Sequence, residues 1–138
     1  MGATQEPISI TDNVVVLGPF SAANLAANQA DQAAALPGGN TGIPALKGGS
    51  VVGLLARLSA AATAGQVTVG VTVGGVEDAD SVQTLTTGRS ITKSFEAGKI
   101  PFSAGALIGV EWNTSAAWDG TTADLDVFVL ALFEGMEF

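Results

Sequence analysis

Between Gln66 and Gly74 the chain reads QVTVGVTVG. Val67, Val69, Val71 and Val73 fall on one side of an extended backbone; Thr68, Gly70 and Thr72 fall on the other. Four β-branched residues at period two do not make a helical stripe, whose period is 3.6 residues. They predict a strand with one buried face. Gly74-Gly75 then turns the chain into the acidic loop Glu77-Asp78-Ala79-Asp80.

The same alternation recurs through the second half. In Ser50–Ser59, Val52, Leu54, Ala56 and Leu58 share one face and Val51, Gly53, Leu55 and Arg57 the other. In Leu107–Asn113, Ile108, Val110 and Trp112 oppose Gly109 and Glu111. Weaker strands are predicted at Ser81–Thr86 and Ser90–Phe95. The last strand, Asp124–Glu134, is the most apolar. Leu125, Val127, Val129, Ala131 and Phe133 line one face, while Phe128, Leu130 and Leu132 line the other. A sandwich strand should have one dry and one wet face. Two dry faces call for a second cover, either the chain's own N-terminal arm or another copy. The small size of the chain favours another copy, with Phe128, Leu130 and Leu132 as the oligomer interface.

Residues 1–48 differ in character. They carry four charges (Glu6, Asp12, Asp31, Lys47) and four of the five prolines. Asn13–Leu17 is a short strand candidate closed by Gly18-Pro19. Ser21–Leu36 is alanine-rich, which favours helix, but Asn24, Asn28 and Asp31 interrupt it, so helix and extended arm both remain open. Leu36–Asn40 is a turn, and Ile43–Leu46 an edge strand or tether, because proline cannot donate to a ladder. The expected organisation is an N-terminal arm with the first strand or strands over 1–48, and a β-sandwich domain over 49–138. With seven or eight short strands and no firm βαβ unit, the fold class is all-β: a jelly-roll-like antiparallel β-sandwich with an extended N-terminal arm.

Composition removes most chemistries. The 138 residues contain no His and no Cys. Imidazole and thiolate metal sites, cysteine nucleophiles and the Ser-His-Asp triad are thereby excluded. Thirteen acidic residues against five basic ones give a net charge of −8, which offers no basic stripe for nucleic acid or anionic lipid. The longest apolar run, Val127–Phe133, is far short of the ~20 residues of a membrane span. The first residues lack the positive and apolar regions of a secretory signal. Only 13% of residues are charged, against ~25% in an ordinary domain, which points to surface hidden against a partner.

The remaining candidates are weak as chemistry. Glu77, Asp78 and Asp80 share a turn, and Asp119, Asp124 and Asp126 cluster later, but EF-hand spacing is absent. The pairs Gly38-Gly39, Gly48-Gly49 and Gly74-Gly75 lack the context of a phosphate loop, so no cofactor is expected. Asn113-Thr114-Ser115 matches a glycosylation sequon that carries little weight without a secretory signal. Trp118, in a polar turn, is either a plug on the core or a loop binding anchor.

Two segments carry a family resemblance. GGSVVGLLARLSAAATAGQVTVGVTVGG (48–75) and FSAGALIGVEWNTSAAWDGTTADLDVFVLALFE (102–134) resemble the opening strands and closing hairpin of small β-sandwich virion proteins of tailed bacteriophages. The pattern is also similar to C1q/TNF-type jelly rolls, without their tyrosine-rich core. The phage resemblance implies a virion component: a capsid decoration (cement) protein, a head fibre or a tail adhesin. The short chain without a stalk disfavours a fibre. The expectation is therefore a homotrimer on the outer capsid surface, bound to the major capsid protein, made in the host bacterial cytoplasm, and not an enzyme. Its arm would touch capsid or neighbours through Pro7, Ile8, Ile10, Val14, Val16 and Phe20. A receptor- or glycan-binding head using Trp118 is the alternative.

Overall fold

A computed structural model describes residues 14–86 and 88–134. Eleven strands follow in chain order. They are β1 (Val14–Ala22), β2 (Gln32–Ala33), β3 (Ile43–Pro44), β4 (Gly49–Leu58), β5 (Val67–Val73), β6 (Val76–Glu77), β7 (Gln83–Leu85), β8 (Ser90–Ser94), β9 (Pro101–Phe102), β10 (Leu107–Thr114) and β11 (Leu125–Phe133). One 3₁₀ turn, Ala79–Ser81, interrupts them.

Every pairing is antiparallel, and the strands form two sheets. Sheet A runs β1-β11-β4-β8, with β9 continuing the β8 side of β4. Sheet B runs β2-β10-β5-β6, with β3 sharing the β2 edge and β7 the β6 edge. Counting β2/β3, β6/β7 and β8/β9 as single columns gives eight, ordered 1-8-3-6 in one sheet and 2-7-4-5 in the other. That interleaving of two Greek keys is the jelly roll, and the predicted fold class holds.

The core lies between the sheets. Leu54, Ala56 and Leu58 of β4 and Leu125, Val127 and Val129 of β11 pack against Val67, Val69 and Val71 of β5 and Ile108 and Val110 of β10. The alternation read in β5 and β11 therefore marks the inner faces. In β4 it breaks. Leu130 pairs with Gly53 but Ala131 pairs with Val51, so Val52 is an extra residue in a bulge. Beyond the bulge the faces exchange: Val51 is fully buried and Val52 only partly. The expected grouping of Val52 with Leu54 is corrected accordingly.

The N-terminal part departs from expectation more broadly. Residues 14–48 are not an arm apart from the sandwich. β1 is a full column of sheet A, and β2 and β3 form one edge of sheet B. Phe20 and Leu25 are fully buried and supply core volume that residues 49–138 do not provide alone. Gly48 is thus no structural boundary among the described residues. The stretch 21–36 is not a helix. Asn24, Asn28 and Asp31 take φ values of 50°, 59° and 54°. Asn and Asp tolerate this left-handed region, and three such residues preclude a helical run. Pro7, Ile8 and Ile10 lie outside the described residues.

Candidate functional site

The outer face of sheet A gathers the second face of β11. Val14 stands opposite Leu132, Val16 opposite Leu130, and Phe128 opposite Leu55. Val16 is 61% exposed, and Phe128 and Leu55 are each 37% exposed. Gly53 leaves room on β4 for Leu130, whose side-chain atoms would lie 3.2–3.6 Å from any Cβ placed there. A groove of about 380 Å³, lined among others by Pro19, Leu55, Ile91, Thr92 and Phe128, crosses this face. A second, of about 310 Å³, adjoins it along Gly53, Leu55 and Leu130. Charges sit at its margins: Arg57 and Asp126 at one end, Lys93 along β8. The Asp126 carboxylate accepts the Ser21 hydroxyl at 2.5 Å.

β1 reaches this face through a bulge. Its register slips between Leu17 and Phe20, at the cis Gly18-Pro19 bond. Gly18 has φ +133°, and a Cβ there would meet the Val127 carbonyl at 2.8 Å, so no other residue fits. The slip turns Phe20 inward while leaving Val14 and Val16 outside. Of the expected contact residues, Val14 and Val16 therefore join Phe128, Leu130 and Leu132 on one surface. Phe20 does not: it is core, and cannot touch a partner from there.

The outer face of sheet B is built differently. It presents Thr68, Gly70 and Thr72 from β5 and Glu111 and Asn113 from β10. Glu111 pairs with Gly70, and Glu77 of β6 pairs with Thr72. The missing side chain at Gly70 is what lets Glu77 lie across the strand, since a Cβ there would strike the Glu77 carboxyl. Oε2 of Glu77 is shut off from water, and no donor reaches it. Burial, then the charge and hydrogen bond of Glu111, then the charge of Asp31 push the Glu77 pKa up to about 7. Burial and Asp31 raise Glu111 too. A pKa near 7 leaves Glu77 partly protonated at neutral pH, beside the like charge of Glu111. This pair was missed at the sequence level. Its signal was the notch at Gly70, readable only once the register is known.

The other carboxylates hold loops. Asp78 accepts the Asp80 amide at 2.9 Å and caps the 3₁₀ turn. Asp119 accepts the amides of Thr63 (2.9 Å) and Ala64 (3.1 Å) and the Thr63 hydroxyl. The Thr63 hydroxyl and these amides hold its carboxyl below the usual range. Asp124 accepts the Asn24 amide at 3.0 Å. Glu77, Asp78 and Asp80 thus do not converge, and no group of three ligand-type residues suited to a metal occurs among the described residues.

Trp118 closes the same end of the sandwich. It is 3% exposed, and its indole N–H donates to the Leu25 carbonyl at 3.1 Å. Gly120 gives the ring its space, because a Cβ there would strike it. Trp118 is the plug of the two readings, and its ring is not offered to a ligand. Trp112 is also buried.

No family model and no curated protein matches this chain. Among solved structures, the Tobacco streak virus coat protein dimer is similar over 92% of this chain and 90% of that one, at 14% identity and a TM-score of 0.34. An overlay this loose adds nothing to the topology already described. Among the described residues, no helix is long and apolar enough to cross a membrane.

Proposed function

We propose that the chain is a structural virion protein, a capsid decoration (cement) protein that works by adhesion. The observation that carries the reading is the apolar outer face of sheet A, in a chain with few charges to spare for solvent. The resemblance of residues 48–75 and 102–134 to small phage virion β-sandwiches supports it. So does the jelly-roll order, which serves viral capsid and lectin domains alike and so does not choose between them. On this reading Phe128, Leu130 and Leu132 bury one another in a homotrimer. Contact with the major capsid protein on the outer capsid surface then falls to the segment that carries Pro7, Ile8 and Ile10. A stable contact removes ~800 Å² per partner, and repetition around a shell adds through avidity. The competing assignment, a glycan- or receptor-binding head, has lost its anchor with the burial of Trp118.

The test is the mass of the purified protein in solution and its sedimentation with undecorated capsids. A particle of about 41 kDa, three times 13.7 kDa, that pellets with capsids is expected. A monomer that ignores capsids would overturn the proposal. A trimer that ignores capsids would retain self-association and remove the capsid role.

A further inference from the structure

A sheet that ends in solvent leaves half of its last strand's N–H and C=O groups unpaired, and proteins blunt such edges with short strands, lysine or proline. This sandwich has four edges, two per sheet. Those of sheet B are made of strands of two or three residues: β2, β3, β6 and β7. The β8 edge of sheet A has five residues, SITKS, with Lys93 exposed on it. Among the described residues, the β1 edge has neither device over Val14–Leu17, and no described strand other than β11 pairs with it there. Val14–Leu17 reads VVVL, and Val14, Val15 and Val16 are 38%, 39% and 61% exposed. The open stretch also has a defined end. Past the Gly18-Pro19 bulge, Ser21 exchanges backbone hydrogen bonds with Ala35 (2.7 and 2.9 Å), so the chain itself covers β1 there.

We infer that Val14–Leu17 is a self-pairing edge, which takes the same strand of a second copy antiparallel about a two-fold axis. The occupant must be an extended strand, because the edge offers backbone groups. A second copy fits for two reasons. Antiparallel pairing centred on Val15 sets Val15 against itself and Val14 against Val16, so the central three matches are valine on valine, a favourable cross-strand pair, with Leu17 beyond them. The stretch Val14–Ala30 is also free of charge, so two chains of net charge −8 meet where neither carries one. The contact joins two copies of sheet A into one continuous sheet. It rests on the reading of the chain as self-associating, but it is a different contact from the outer face. A three-fold contact through the face and a two-fold contact through the edge together link trimers to one another.

The experiment separates the two contacts. Phe128→Asp removes the face contact at the Gly18-Pro19 end of β1 and leaves Val14–Leu17 unsubstituted. In that background, sedimentation from micromolar to near-millimolar protein should show a monomer passing to a dimer of about 27 kDa, twice 13.7 kDa. Adding Val15→Lys should weaken this dimer by roughly tenfold or more, since like charges then oppose each other across the axis. Val15 pairs with Ala131 on the inner side of β1, so the outer face is unchanged. Amide exchange at Val14–Leu17 in the Phe128→Asp parent should slow with concentration, a readout that does not depend on the lysine variant folding. A monomer at every concentration, or a dimer indifferent to Val15→Lys, overturns the inference. So does association that appears only after removal of residues 1–13, which assigns the edge to the chain's own N-terminal segment. Edge dimers from a chain that neither trimerises nor binds capsids would keep this inference and sink the cement reading. Capsid-binding trimers with no edge dimer would do the reverse.

Discussion

The two sheets share one recipe for their inner faces and opposite recipes for their outer ones. Inside, both use β-branched and aliphatic residues at period two. Outside, sheet B carries Thr68, Thr72, Asn113 and the Glu77–Glu111 pair, groups that water or a proton can satisfy. Sheet A carries Val14, Val16, Leu55, Phe128, Leu130 and Leu132. Sheet B is polar over most of its outer face, where Leu107 is the exposed large apolar residue. Sheet A leaves large apolar groups in water, each costing roughly 25 cal/mol per Å² of apolar area. On the proposed function, this asymmetry puts adhesion on one side of the sandwich and makes the other its solvated back.

The comparison breaks first at Phe128 and Leu132. Phe128→Asp combined with Leu132→Glu puts two charges on the apolar face without touching the core. Self-association should fall by about 100-fold, the order of loss for fully buried anchors at an interface. The melting temperature of the dissociated chain should stay within a few degrees, because partly exposed positions outside the core contribute little. Equilibrium sedimentation and thermal denaturation on the same variant check both halves. A large fall in melting temperature with association intact would mean the face supports the fold rather than contacts.

A smaller effect is expected on the opposite side. Gly70→Ala puts a methyl group where the Glu77 carboxyl lies. Overpacking costs about 1–3 kcal/mol, and here the side chain is free to swing outward, which favours the low end. Displaced into water, Glu77 should titrate near its ordinary value, visible by NMR of the carboxyl carbon. If the Glu77 titration is unmoved, the glycine notch is not what buries the carboxyl.

How far these two faces could be read in advance differs with the physics involved. The strands β4, β5, β10 and β11 were legible because period-two alternation is local, and the two dry faces of β11 were visible as residue types. The β4 bulge was not. It depends on the partner strand, and it exchanges Val51 and Val52 without leaving a mark in the alternation. The placement of Phe20 was missed because the bulge at Gly18-Pro19 was read as a stop rather than a slip. The segment 21–36 stays open between helix and arm in the sequence because its alanines favour helix; its left-handed Asn24, Asn28 and Asp31 are held by long-range bonds such as Asn24 to Asp124 and Asp31 to Asn113. Glu77 and Glu111 lie 34 positions apart, and only the register of β5 against β6 and β10 brings them together.

The smallest expected effect is a pH dependence that belongs to the sheet B side alone. Glu77 has its folded pKa raised from 4.5 to about 7, and Glu111 is shifted the same way. A raised carboxyl binds more protons in the folded chain than in the unfolded one, so the stability it contributes falls as pH rises. The contribution is full below pH 4.5, declines between 4.5 and about 7, and is flat above. Asp119, whose pKa is lowered, acts with the opposite sign: its contribution is lost only as pH falls below the ordinary Asp range. The two windows therefore do not overlap. Urea midpoints measured from pH 4.5 to 8 should drift downward across the first window. Glu111→Gln removes the like charge beside Glu77 and should flatten that drift in part, because burial is the larger cause of the shift and stays in place. Self-association should show no matching step, since neither carboxyl touches the outer face of sheet A. A step in association at the Glu77 pKa would mean that the two faces are coupled through the sandwich, and that the acidic side is not merely its solvated back.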